Sequence, residues 1–79
     1  MDNFGNKITT IRKYKNISQS NLAEKANLSQ SFISHLEKGK RVPTIKTLIK
    51  IARGLEMPLK DFFMYIIEEY EDLSQDISK

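Results

Sequence analysis

An all-α fold of five short helices is expected from three features of the chain. Apolar residues recur at three- and four-residue spacings, no stretch alternates as a strand would, and Ser18, Ser29 and Thr44 each stand where a helix-opening cap is needed. The 79 residues leave room for one small core, so a single compact domain over 1–79 is expected, without a separate ligand-sensing or catalytic module.

The first helix is expected from Phe4 or Asn6 to Lys15, with Phe4, Ile8 and Ile11 facing inward and Lys7, Lys13 and Lys15 in water. Ser18 then offers a hydroxyl to the unpaired backbone donors of a second helix starting near Gln19. Leu22, Ala23 and Ala26 share one face of that helix, and the alanines let a neighbouring helix approach closely. Asn27 takes a left-handed turn cheaply, Leu28 is an apolar plug, and Ser29 caps the third helix. Two helices thus lie three residues apart, the spacing of a helix-turn-helix over residues 18–38.

In the third helix Ile33 and Leu36 point one way, while Gln30, Ser31, Ser34, His35 and Lys38 share an arc of about 140° at 100° per residue. Gly39 ends it. Thr44, after Pro43, caps a fourth helix whose apolar face is Ile45, Leu48, Ile51, Ala52 and Leu55. From Leu59 the series Phe62, Phe63, Ile66, Ile67, Tyr70 and Leu73 carries a fifth helix over about 59–73. This helix is longer and more apolar than one core contact requires. Its surplus face, Phe63, Ile67 and Tyr70, is therefore the candidate dimer interface.

The polar arc of the third helix holds donors and acceptors but no carboxylate, which suits base edges in a major groove. Gln30 and Ser31 lead the candidate base-reading set, because recognition helices reach bases mainly with their first residues. Ser34 and His35 extend it, and Phe32, at the border of arc and core, is placed to touch a thymine methyl. The bland alternative is a solvated helix face for the four polar residues and simple packing for Phe32. Lys38, Lys40 and Arg41 cluster directly after this helix, where a phosphate backbone would pass.

Net charge is +3, unevenly placed: residues 1–60 carry twelve Lys and Arg against four Asp and Glu, and residues 61–79 one Lys against six acids. A basic surface on the first part supplies sequence-independent, salt-sensitive attraction to DNA. The absence of Cys excludes disulfides, and a single His leaves no Cys or multi-His zinc site. No nucleophile has a spaced base and no glycine loop is built to cradle phosphate, so no enzyme, metal, cofactor or small-molecule ligand is expected. The N-terminal MDNFGNK lacks a signal pattern and the apolar run Phe62–Ile67 is too short for a membrane span. A cytoplasmic, membrane-free protein is expected.

Residues 8–63 resemble the Cro/CI (Xre) helix-turn-helix family, the lambda repressor-like domains. The resemblance rests on Arg12, Ser18-Gln19 with Leu22-Ala23, Ile33 and Leu36-Glu37 with Gly39, then Pro43, Leu48, Ala52 and Leu55. Asn27 departs from the glycine common in that turn but tolerates the same backbone region. The resemblance implies a five-helix domain that binds DNA as a dimer. It makes Gln19 a phosphate-binding amide, gives base-reading roles to Gln30, Ser31, Ser34 and His35, and pairs Arg12 with Glu37 as a structural ion pair between helices one and three. The implied function is sequence-specific transcription regulation by a homodimer on a palindromic operator, with recognition helices about 34–36 Å apart. Stand-alone domains of this kind resemble phage Cro-like repressors, autorepressing antitoxins and restriction-modification controllers. The compact length and the segment from Gly54-Leu55-Glu56 to Phe62-Phe63 look most like the controllers, which activate or repress by operator occupancy, with RNA polymerase a further candidate partner. The competing reading is an antitoxin or other interaction module that covers a protein partner through its fifth helix.

Overall fold

Helix boundaries in the computed structural model, which describes residues 3–68, follow the caps. The elements are α1 (Asn3–Tyr14), α2 (Gln19–Ala26), α3 (Gln30–Glu37), α4 (Ile45–Gly54) and α5 (Leu59–Ile67), and helices are the only regular structure among the described residues. Ser18, Ser29 and Thr44 have extended backbones, and their hydroxyls accept from the N–H groups of Asn21, Phe32 and Thr47 at 3.0, 3.0 and 3.2 Å. Each bond satisfies one donor that the first helical turn leaves unpaired. α5 opens on Pro58 without a side-chain cap.

The first four helices end alike. Asn16, Asn27, Gly39 and Glu56 each take a positive φ of 58 to 78° within two residues of their helix's end. Around each, one N–H reaches the carbonyl five residues back (Ile17 to Arg12, Leu28 to Ala23, Lys40 to His35, Met57 to Ala52) and the preceding N–H the carbonyl three back. These are Schellman caps, which pair carbonyls that a helix end would otherwise leave open. Such caps usually seat an apolar residue after the left-handed one. Ile17, Leu28 and Met57 do so against the core, whereas Lys40 stands exposed.

α2 packs on both α3 and α4, α1 on α3 and α5, and α5 also closes on α4. Every helix contributes to the core, with Ile8, Leu22, Ile33, Leu36, Ile51 and Phe62 fully buried. Two close approaches depend on glycine. A Cβ on Gly54 would stand 2.8 Å from Leu22 Cδ1 and 3.1 Å from Ala26 Cβ, so α4 lies against the small-residue face of α2. A Cβ on Gly5 would stand 2.5 Å from the Glu37 carbonyl oxygen and 2.7 Å from that of Leu36, so α1 meets the end of α3 backbone to backbone.

Three details differ from the sequence expectation. α1 stops at Tyr14, one residue early, because Asn16 turns the chain. Ile45, expected on the inner face of α4, is 66% exposed; the first turn of that helix stands clear of the core. Lys7 is not a solvated lysine: its Nζ lies 4.5 Å from the Tyr65 ring centroid and 3.6 Å from Glu68 Oε1. The fifth helix, expected over 59–73, is described from Leu59 to Ile67, and Tyr70 and Leu73 lie outside the described residues.

Candidate nucleic-acid interface

The candidate surface is built on α3, an eight-residue helix that puts Ile33, Leu36 and Glu37 inside. Gln30, Ser31 and His35 are exposed, and Ser34 and Phe32 are half-buried, Phe32 packing on the core. The buried Glu37 is the only carboxylate on α3, so the helix offers solvent an amide, hydroxyls and an imidazole, with no negative charge. Lys38, Lys40 and Arg41 follow, all exposed, on the turn made by Gly39. The Arg41 guanidinium carbon lies 5.5 Å from the Phe32 ring centroid, a cation–π contact that ties the basic turn back to the first turn of α3.

Beneath this surface Glu37 collects three charge-assisted hydrogen bonds. Arg12 Nε donates to Oε2 at 2.7 Å, and Arg12 Nη2 and Gln19 Nε2 donate to Oε1 at 3.1 and 3.0 Å. Arg12 Nη1 donates to the Ile17 carbonyl at 2.9 Å. One guanidinium therefore joins α1, the cap ahead of α2 and the end of α3. Burial pushes the Glu37 carboxyl up, but the hydrogen bonds from Arg12 and Gln19, with the Arg12 charge, outweigh it and hold the group below its ordinary range. Both partners are at least nine-tenths buried, which makes breaking the pair costly.

At the start of α2, Gln19 is half-buried and Ser20 exposed, and their backbone N–H groups precede any intrahelical acceptor. Farther round, Lys25 Nζ pairs with Glu56 Oε2 at 2.8 Å, and that contact lowers the exposed Glu56 carboxyl. Two contacts at this surface have no sequence signature: the Arg41 stack on Phe32, and the Gln19–Glu37 bond, which joins positions 18 residues apart. Of the residues expected to form the dimer face, Ile67 is 47% exposed, Phe63 is half-buried with its ring edge-on to Phe62 at 5.8 Å, and Tyr70 lies outside the described residues. Among the described residues no group of three metal-ligating side chains occurs, and no helix is long and apolar enough to cross a membrane.

The sequence model of the helix-turn-helix family matches residues 8–62, from the middle of α1 to α5. The chain belongs to the Cro/CI (Xre) helix-turn-helix family. This family is one of DNA-binding transcriptional regulators. The chain is 36% identical to an uncharacterised helix-turn-helix-type transcriptional regulator of Methanocaldococcus jannaschii, over 81% of this chain and 97% of that one. It is 37% identical to the control protein C.MunI of a Mycoplasma species, over 84% and 90%. The crystal structure of the wild-type restriction-modification controller protein C.Esp1396I superposes with a TM-score of 0.79 at 38% identity, covering 87% of this chain and 91% of that one. The controller protein C.AhdI from Aeromonas hydrophila superposes at 0.72 with 26% identity, over 77% and 92%. The five-helix arrangement is thus the fold of these family members.

Proposed function

We propose that this family member is a sequence-specific transcriptional regulator that binds a palindromic operator as a homodimer, acting on its own operon and on the genes of a restriction-modification system. The observation that carries this reading is the carboxylate-free outer face of α3, with its acid turned inward onto Arg12 and a basic turn directly behind it. A face that repels no phosphate and presents an amide, hydroxyls and an imidazole is suited to a major groove. Gln30, Ser31, Phe32, Ser34 and His35 read bases; Gln19, Lys38, Lys40 and Arg41 hold phosphates. Residues 18–38 are the DNA-reading unit of a single domain over 1–79. The likeness to C.MunI, C.Esp1396I and C.AhdI supports the controller role. RNA polymerase is a partner only where operator occupancy activates.

The exposed Leu59, Met64 and Ile67 of α5 support self-association through this helix, which with Phe63 and Tyr70 forms the dimer face. The same face would serve a module that covers a protein partner instead, and DNA binding separates the two. The test is fluorescence anisotropy against DNA from upstream of the gene and against scrambled duplex, across a salt series. Cooperative binding to upstream DNA with a preference of about a thousandfold or more is expected. Equal, weak affinity for both duplexes that vanishes with salt would sink the operator assignment.

A further inference from the structure

Glu37 does more in this structure than neutralise Arg12. Its Oε1 takes a second donor, the Gln19 amide nitrogen at 3.0 Å, and a carboxylate can only accept there. The amide orientation of Gln19 is thereby fixed, with Nε2 toward Glu37 and Oε1 away from it. One N–H of Nε2 is used, and among the described residues no protein acceptor takes the other. Gln19 is the first residue of α2, where its own backbone N–H and that of Ser20 have no intrahelical acceptor, while the N–H of Asn21 is taken by Ser18.

We infer that Glu37 is a positioning residue for DNA: it holds the Gln19 amide so that the remaining N–H and the first backbone amides of α2 meet one phosphate together. The inference rests on the assignment of Gln19 to phosphate and deepens it. A glutamine free in solution loses side-chain entropy when it binds. Here that ordering is complete before DNA arrives, because the acceptor is itself locked by two bonds from Arg12. The pair that registers α3 thus also aims the phosphate donor of α2.

Charge makes the test sharp. Glu37→Gln removes one negative charge, so electrostatics alone predicts tighter binding to any duplex. Positioning predicts weaker binding. The affinities of the wild type, Gln19→Ala, Glu37→Gln and the double variant are measured on a scrambled duplex, because a phosphate contact does not depend on sequence. Each single variant is expected to lose roughly tenfold, the double variant little more than either, and Gln19→Ala to leave the salt slope unchanged because it removes no charge. Since Glu37→Gln exposes Arg12 to an unpaired state, the Arg12→Met/Glu37→Leu pair, which keeps net charge, is a second background. There, too, adding Gln19→Ala should change nothing. In the free wild type, the Gln19 side-chain amide protons should show the shifted resonance of a carboxylate-bound N–H, lost in Glu37→Gln. Independent, multiplying losses, tighter binding by folded Glu37→Gln, or a Gln19 amide resonance of a solvated glutamine overturns the inference alone. Absence of any duplex binding by the wild type overturns the regulator reading as well.

Discussion

Arg12 and Glu37 meet across 25 residues of sequence, and their bidentate bond sets how α3 is presented. Arg12→Ala leaves a buried carboxylate without its cation, which costs roughly 3–5 kcal/mol. A clear drop in melting temperature together with weaker DNA binding is expected; unchanged stability with lost binding would instead make Arg12 a direct DNA contact. The pH dependence follows from the direction of the Glu37 shift. The folded carboxyl titrates below the ordinary 4.5, so the pair stabilises fully above that pH and loses its contribution as pH falls through the lower, folded value. Thermal melts from pH 6 down to 3 should therefore show a steeper acid loss for the wild type than for Arg12→Met/Glu37→Leu. On the outer face the roles separate by readout. Gln30→Ala should relax preference at one base position at a cost of about 1–3 kcal/mol, whereas Lys40→Ala should weaken binding to every sequence and flatten the salt slope by about one unit. Equal effects of both on matched and scrambled duplex would mean the base and phosphate contacts are misassigned.

The first four helices are closed by one repeated device, and the one that gives up its apolar contact lies at the proposed DNA surface. Ile17, Leu28 and Met57 follow their left-handed residues into the core, but the residue after Gly39 is Lys40, which gives up that apolar contact and stands in solvent beside Arg41. The left-handed Glu56 is a second departure, since only glycine and, at a modest cost, asparagine adopt that region readily. Glu56→Gly removes a penalty of about 1–2 kcal/mol and adds about 0.5–1 kcal/mol of glycine entropy. Its exposed bond to Lys25 contributes little, so a net gain of about 0.5–1 kcal/mol is expected in chemical denaturation; a loss would show that the Lys25 bridge outweighs the strain. At the other end of the domain, Gly5→Ala would drive a methyl into the carbonyls of Leu36 and Glu37. Backbone atoms cannot step aside as a side chain can, so a destabilisation of about 1–3 kcal/mol and a displaced α3 are expected.

At the largest scale α1 links α3 to α5: Gly5 abuts the end of α3, while Lys7 and its carbonyl meet Tyr65 on α5, whose hydroxyl donates at 3.0 Å. If α5 forms the dimer face, substitution there should act on operator binding through assembly. Ile67→Glu, at a half-exposed site outside the core, is expected to give a folded monomer by sedimentation and a large loss of cooperative operator binding. A dimer that persists would move the interface elsewhere. The helix caps, the buried face of α2 and the polar arc of α3 were legible in the chain because they depend on neighbours within one helical turn: Ser18, Ser29 and Thr44 cap, and Asn27 and Gly39 turn, by their own chemistry. Pattern alone misplaced Ile45 and Lys7, since a helical stripe says which residues share a face but not whether a neighbour covers its first turn. Only the folded arrangement decided that Gln19 donates to Glu37, that Arg41 lies over Phe32, and that glycine is required at position 5, because each depends on helices brought together from distant parts of the chain.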